Sequence, residues 1–107
     1  MIYELRQYQL YPNRINALSE RFEKYTLDIY RKHNMVPIGF FREDIGMQGR
    51  FVDIIGYENL GVREKARAAF FADPEWRKIR DKSGAEGPTT VKIHNSILIP
   101  YPYSPMK

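Results

Sequence analysis

The sequence predicts an α+β domain of the split βαβ, ferredoxin-like type, with an antiparallel four-stranded sheet and the element order strand, helix, strand, strand, helix, strand. Two observations lead to this fold. Apolar residues alternate in four segments, as they do in half-buried strands, and they recur every three or four residues in two others, as on one face of a helix. At 107 residues, the chain has room for one core, so residues 1–107 are predicted to form a single domain.

The first half of the chain alternates from residue 2 to residue 10, which predicts the first strand. Asn13 is the predicted N-cap for a long helix from Arg14 to about Lys32. This helix has one apolar stripe, and Pro37 forbids its continuation. The stripe consists of Ile15, Leu18, Phe22, Tyr25 and Ile29.

The second half begins with a predicted hairpin of strands 38–44 and 50–57, joined by a turn at Gly46-Met47-Gln48-Gly49. A second helix is predicted over 61–72, and it restarts at Asp73-Pro74 because Asp is a good N-cap and Pro suits the first helical position. After a loop at 83–88 come the last strand, 90–99, and a tail, 100–107. The prolines of the tail keep it extended and outside a central ladder.

Both helices of this plan cover the same face of the sheet, and the other face has no cover within one chain. The last two strands are apolar on both faces, as Val52, Ile54, Ile55 and Leu98 illustrate. An exposed apolar sheet face of this size is usually an interface. We therefore predict a two-fold homodimer in which two sheets face each other and form a barrel.

Composition excludes several classes of function. The chain has no cysteine, so thiolate metal sites and a Cys nucleophile are impossible. The net charge of +4 comes from Lys and Arg residues that are spread along the chain and mixed with acids, which predicts no nucleic-acid partner. The chain has no apolar stretch near ~20 residues and no signal-peptide pattern after Met1, so we expect no membrane partner and a cytoplasmic location. The spacing of His33 and His94 predicts no metal site, and no cofactor motif is present.

Charged residues on the first strand are the leading site candidates. Glu4 and Arg6 lie two positions apart and therefore share one strand face, about 7 Å from each other. Arg offers a rigid fork for a carboxylate or phosphate, which suggests a ligand contact. The structural alternative is a charge network across strands with Glu43 or Asp53, or across the dimer seam.

Two further residues are candidate proton-transfer groups. Asp53 lies in the middle of an apolar strand, where burial raises the pKa of a carboxyl unless a cation such as Arg6 or Arg42 pairs with it. It is either a general base or a paired structural carboxylate. His33, at the end of the first helix, is either a proton shuttle at a pocket mouth or a cation that stabilises the helix dipole.

Several segments, in register over the whole chain, resemble the NIPSNAP family of the dimeric α+β barrel superfamily. They are Ile2-Tyr3-Glu4-Leu5-Arg6-x-Tyr8, Gly39-Phe40-Phe41 with Glu43 and Ile45-Gly46, Arg63-Glu64 with Arg67, Asp73-Pro74-Glu75-Trp76, Ile97-Leu98-x-Pro100 and Tyr103-Ser104-Pro105. The resemblance implies a dimeric barrel with a cavity between sheet and helices, in a family whose members are mostly uncharacterised. One departure is Asp53, in a segment where such sequences typically have His.

These observations predict a partly aromatic pocket and leave three functions open. The first is an uncharacterised homodimer that binds a small aromatic or anionic molecule. The second is a cofactor-independent oxygenase or isomerase, a type that the resemblance implies for the wider superfamily. The third is a non-catalytic dimeric scaffold that grips a partner with the tail. The ligand-binding candidates are Tyr3, Arg6, Phe41, Glu43 and Trp76, and the catalytic candidates are His33 and Asp53.

Overall fold

A computed structural model describes residues 1–47, 49–85 and 87–107. It has a four-stranded sheet in the order β2-β3-β1-β4, and all three strand pairs are antiparallel. The predicted α+β, ferredoxin-like fold is confirmed. The elements are β1 (Ile2–Leu10), α1 (Ile15–Arg21), a π-helical turn (Phe22–Thr26), α2 (Leu27–Lys32), β2 (Val36–Arg42), β3 (Arg50–Tyr57), α3 (Leu60–Ala72), α4 (Pro74–Gly84) and β4 (Thr90–Leu98). Gln48 and Glu86, which belong to the predicted turn and loop, lie outside the described residues.

The predicted stripe of the first helix is wrong at one position, because the helix contains the π-helical turn. The backbone N–H of Leu27 donates to the carbonyl of Phe22, five residues earlier, which inserts one extra residue into the turn. The buried position after Phe22 is therefore Thr26, and the predicted Tyr25 is 43% exposed.

The second strand begins two residues earlier than predicted and ends at Arg42. It accommodates Pro37 because β2 is an edge strand that pairs only with β3, and proline is tolerated on edge strands and at bulges. The register shifts between Pro37 and Gly39, as in a β-bulge.

The core lies between the helices and one face of the sheet. Tyr8, Phe51 and Ile55 of the sheet pack there against helical residues that include Phe22 and Phe70. The ring of Tyr8 meets Phe51 edge-on with 5.5 Å between ring centroids, and the Phe22 ring stacks on Phe51 at 5.0 Å. Aromatic contacts of this kind add to the stabilisation from buried area.

The helices leave β4 uncovered. Val91 to Leu98 are exposed, including Ile93 and Ile97, which share the helix-side face with Glu4 and Tyr8 through the strand register. A space therefore opens at this edge of the sheet, between β4 and the helices. No helix among the described residues is long and apolar enough to cross a membrane.

Candidate functional site

The sheet register places three polar side chains in one row at the centre of the helix-side face. Arg6 of β1 lies directly opposite Asp53 of β3 and, on its other side, opposite Asn95 of β4. Residues that face each other across an antiparallel pair point to the same side of the sheet, so all three point toward the helices. The charged side chains of the first strand, Glu4 and Arg6, therefore face the space between the sheet and the helices.

That space is a cleft of about 320 Å³, which we call the sheet–helix cleft. Its walls are mainly aromatic, three arginines reach it, and β4 forms its open side. The lining residues are Arg6, Tyr8, Arg21, Phe22, Tyr30, Arg67, Phe70, Phe71, Trp76, Thr90, Ile93 and Asn95.

Arg6 lies at the inner end of the cleft and is 8% exposed. Its Nη1 donates a long hydrogen bond of 3.4 Å to the Tyr30 hydroxyl, and its guanidinium lies over the Tyr8 ring, 5.2 Å from the centroid. Burial by itself lowers the pKa of Arg6, but the neighbouring Tyr8, Tyr30 and Asp53 raise it by more. The net pKa therefore lies above the usual value, and the guanidinium stays charged. Its buried Nε has no hydrogen-bond partner among the described residues.

Asp53 lies deeper than Arg6 and is fully buried. The Tyr8 hydroxyl donates to its Oδ2 at 3.2 Å, and its Oδ1 has no partner in the described part of the chain. Burial raises the pKa of Asp53 to about 7, although the charge of Arg6 and the hydrogen bond from Tyr8 act in the opposite direction. At neutral pH this carboxyl therefore exists in both protonation states, as a general acid or base requires.

Glu4 is also fully buried on this face, but both oxygens of its carboxylate accept hydrogen bonds. Arg63 of α3 donates to both carboxylate oxygens, from Nε at 3.2 Å and from Nη2 at 2.9 Å, and Asn95 Nδ2 donates at 2.7 Å. Arg67 Nη1 lies 3.8 Å from Oε1. Burial by itself raises the pKa of Glu4, but the hydrogen bond from Arg63 and the charges of Arg67 and Arg63 lower it to below its usual value.

The charges around the cleft do not balance, because guanidinium groups outnumber carboxylates. Arg21 stacks over Trp76, 5.3 Å from its ring centroid, and Arg67 lies 5.1 Å from the Phe71 centroid. Glu4 is already bound by Arg63. The cleft therefore presents positive charge on aromatic walls, an arrangement that suits an anionic group attached to a flat ring.

A larger groove of about 570 Å³ runs between the first helix and α4. Its sides include charged residues of both signs, among them Lys24, whose ammonium is already 2.5 Å from Glu20. Both members of that pair are more than half exposed, and exposed pairs of this kind contribute little to binding or stability. The sheet–helix cleft, with its buried polar atoms, is the better candidate site.

Three of the seven predicted site residues come together at the sheet–helix cleft. Arg6 and Trp76 line it, and Asp53 lies behind Tyr8 at its inner end. The alternative that paired Glu4 and Arg6 with Glu43 or Asp53 is only partly realised, since Glu4 binds Arg63 of a helix.

The other four predicted residues lie elsewhere. His33 Nε2 is 2.6 Å from Oδ2 of Asp73, the residue that also caps α4 by accepting from the Glu75 N–H. Hydrogen bonds from His33, Lys32 and that N–H hold the pKa of Asp73 well below its usual range. Glu43 accepts a hydrogen bond of 2.5 Å from Arg50 at the hairpin, Phe41 is 52% exposed on the edge strand, and Tyr3 is buried opposite Gly56 and Leu98.

Tyr8, Tyr30, Arg21 and Arg67 line the cleft, although none of them was among the predicted site residues. Tyr8 shares the strand face of Glu4 and Arg6, and this alternation is the signal that identifies it. Tyr30, Arg21 and Arg67 carry no such signal, because their place at the cleft depends on how each helix packs on the sheet. Among the described residues no three His, Asp or Glu side chains lie close enough together to hold a metal ion.

Comparisons with known proteins agree with this architecture. The family model described as NIPSNAP matches residues 3–105. A crystal structure of an uncharacterised NIPSNAP-like domain protein from Burkholderia xenovorans is 36% identical, with a TM-score of 0.87 over 97% of this chain and 88% of that one. A NIPSNAP family protein of unknown function from Agrobacterium tumefaciens is 28% identical, with a TM-score of 0.89 over 100% of this chain and 94% of that one.

A more distant likeness supports the fold alone. A Nitrosomonas europaea protein, provisionally described as an antibiotic biosynthesis monooxygenase, superimposes with a TM-score of 0.65 at 15% identity, over 94% of this chain and 98% of that one. Among curated proteins, none matches this chain significantly.

Proposed function

The chain belongs to the NIPSNAP family, and on that premise we propose that it is a homodimeric protein that binds a small aromatic anion in the sheet–helix cleft. The observation that carries the proposal is the buried guanidinium of Arg6. Its Nε has no partner among the described residues, although an unsatisfied buried donor costs about 1–3 kcal/mol. A ligand carboxylate that pairs with the Arg6 guanidinium offsets that cost.

The aromatic part of the ligand is inferred from the cleft walls. Trp76 lies against Phe70 with 4.7 Å between ring centroids, and its Nε1 is a second buried donor with no partner in the described part of the chain. A volume of about 320 Å³ is at the lower end of the range of roughly 300–1,000 Å³ for small-molecule sites. A ligand of about one or two rings fits these limits.

The homodimer is inferred from the sheet face that no helix covers. Val36, Ile38 and Phe41 of β2 and Leu98 of β4 are each 39% exposed or more. They belong to one antiparallel sheet, and a second copy of the same face is the partner that matches it by symmetry. Light scattering at micromolar concentration tests this part, and a monomeric protein would refute the predicted homodimer.

The binding site is tested with 2-naphthoate and its neutral analogue 2-naphthalenemethanol, by isothermal titration calorimetry at pH 6. We expect 2-naphthoate to bind the natural protein, and Arg6→Gln to weaken this binding tenfold or more, because a bidentate charged contact is lost. Arg42→Gln is the matched control, since Arg42 is an exposed arginine on β2. Equal binding by natural protein and Arg6→Gln would refute the assignment of the anion to Arg6.

The position of Asp53 favours a second candidate function, a cofactor-independent oxygenase or isomerase. Burial holds the pKa of its carboxyl near 7, so it accepts and releases protons at neutral pH, and the Tyr8 hydroxyl connects it to the cleft. The test is oxygen uptake or product formation with electron-rich aromatic acids, without added flavin or metal. Turnover that Asp53→Asn abolishes would support catalysis; no turnover across a broad panel would leave the binding function alone.

A further inference from the structure

The Asp53 carboxyl, the Tyr8 hydroxyl and the Arg6 guanidinium lie close together at the inner end of the sheet–helix cleft. Asp53 Oδ2 accepts from the Tyr8 hydroxyl at 3.2 Å, and Tyr8 itself lines the cleft beside Arg6. A ligand carboxylate held by Arg6 next to the Tyr8 hydroxyl would add a third oxygen and complete a row of ligand, Tyr8 and Asp53 oxygens. We propose that this row binds the carboxylate of an aromatic acid together with one proton, which is taken up from solvent and held by Asp53. The inference rests on the proposed function, since it concerns the same ligand and cleft.

Counting hydrogens gives the first reason. A row of three oxygens has two hydrogen bonds, and each bond needs one hydrogen. When Asp53 and the ligand are both ionised, the row has only the phenolic hydrogen of Tyr8, which serves Asp53. One added proton completes the row: Asp53 O–H donates to Tyr8, and the Tyr8 O–H turns to donate to the ligand carboxylate. No bond other than these O–H bonds changes.

The charge of Arg6 gives the second reason. Arg6 lies opposite Asp53 in the register, and the negative charge of an ionised Asp53 partly neutralises the positive charge of Arg6. A proton on Asp53 releases that charge for the incoming carboxylate. The proton settles on Asp53 rather than on the ligand, because burial holds the pKa of Asp53 at about 7, whereas an ordinary carboxylic acid titrates near 4.

Other groups that face Asp53 leave this proton balance intact. Glu4 raises the pKa of Asp53 and Arg67 of α3 lowers it, but Glu4 and Arg67 already pair with each other, with 3.8 Å between Arg67 Nη1 and Glu4 Oε1. From α2, Tyr30 has a pKa raised by burial to about 12, so it stays neutral. The residue opposite Asp53 on β2 is the uncharged Phe40.

The sign of the pH dependence follows from linkage. An anion beside Asp53 raises the pKa of that carboxyl further, so the complex binds more protons than the free protein above pH 7. We expect the affinity for 2-naphthoate to be nearly constant below pH 6.5 and to fall up to about tenfold per pH unit above pH 7. Titration calorimetry in buffers of different ionisation enthalpy then measures the proton uptake directly. About one proton is expected at pH 8, and almost none at pH 6.

Asp53→Asn sharpens the test, because the amide N–H is a permanent donor to Tyr8. We expect this variant to bind 2-naphthoate at pH 8 as tightly as the natural protein does at pH 6, with no proton uptake. Asp28→Asn is the matched control, since Asp28 is an exposed helical aspartate, and it leaves both quantities unchanged. Tyr8→Phe is a second variant that keeps the ring: loss of the central oxygen weakens binding at pH 6 about tenfold.

The outcomes separate this inference from the proposed function. Binding of 2-naphthoate with the same affinity at pH 6 and pH 8.5, and without proton uptake, would overturn the inference and leave the binding function standing. If 2-naphthol bound more tightly than 2-naphthoate, again without proton uptake, the carboxylate assignment would be overturned. The phenol would itself supply the second hydrogen of the row. Failure to bind 2-naphthoate at any pH would overturn both.

Discussion

Glu4 and Asp53 are two fully buried carboxylates on the same face of the same sheet, and their surroundings are opposite. Glu4 accepts three hydrogen bonds from Arg63 and Asn95, and its pKa lies below the usual value. Asp53 accepts one hydrogen bond from Tyr8, leaves one oxygen without a partner among the described residues, and has a pKa raised to about 7.

The difference shows how one sheet holds two buried carboxyl groups whose pKa values are shifted in opposite directions. Depth does not distinguish them, since both are 0% exposed. The number and charge of the hydrogen-bond donors distinguish the two carboxyls. Donors that bind the ionised form lower the pKa, whereas desolvation without enough donors raises it. Glu4 joins helix α3 to the sheet, and Asp53 is the carboxyl that we propose for the uptake of a proton with a ligand.

The largest expected effect is the loss of Glu4. Glu4→Ala leaves Arg63 without its buried partner, and breaking a buried ion pair in this way costs roughly 4 kcal/mol of unfolding free energy. Since the native pKa of Glu4 is lowered, its contribution is full above the pKa of the unfolded chain and disappears as the pH falls through the native value. Urea unfolding at pH 7 and pH 3.5 measures both.

The matched control for this change is Glu64→Ala, which removes an exposed glutamate from the same Arg63 and changes the unfolding free energy by less than about 1 kcal/mol. If Glu4→Ala were as mild as this control, Glu4 would not be a structural charge, and the contrast with Asp53 would be lost.

The opposite effect is expected at Asp53. Its native pKa of about 7 lies some three pH units above the usual 3.8, so folding becomes less favourable as the pH rises between these values, by up to roughly 4 kcal/mol. Asp53→Asn escapes this ionisation and should stabilise the protein by roughly 3 kcal/mol at pH 8 and hardly at all at pH 4.

Urea unfolding at the two pH values checks this prediction, with the exposed Asp28→Asn as the control. A variant that is less stable than the natural protein at pH 8 would show that Asp53 is a structural carboxylate like Glu4.

The alternation of residues 2–10 predicted which side chains share a face, and the odd place of Asp53 in an apolar strand identified it as a candidate. Both are local properties of a strand, so one sequence carries them. The partner of Glu4 was not predictable in this way, because Arg63 lies 59 residues along the chain and reaches Glu4 only when α3 docks on the sheet.

The opening of the cleft was likewise hidden from the sequence. Ile93 and Ile97 look like core residues of a strand, yet they are 39% and 38% exposed because the helices cover β1 and β3 and stop short of β4. The extra residue of the π-helical turn had a similar origin, since an apolar stripe does not reveal where a helix changes its hydrogen-bonding step.

The smallest predicted effect tests whether the donors of Glu4 act together. Asn95 lies on the uncovered strand and donates to Glu4 at 2.7 Å, so Asn95→Ala removes one donor and leaves both from Arg63. We expect a loss of about 1 kcal/mol in unfolding free energy at pH 7, together with an upward change in the pKa of Glu4. NMR titration of the Glu4 carboxyl measures that change. An unaltered pKa would mean that Arg63 alone keeps Glu4 ionised, and the contrast with Asp53 would then rest on one ion pair rather than on a complete set of donors.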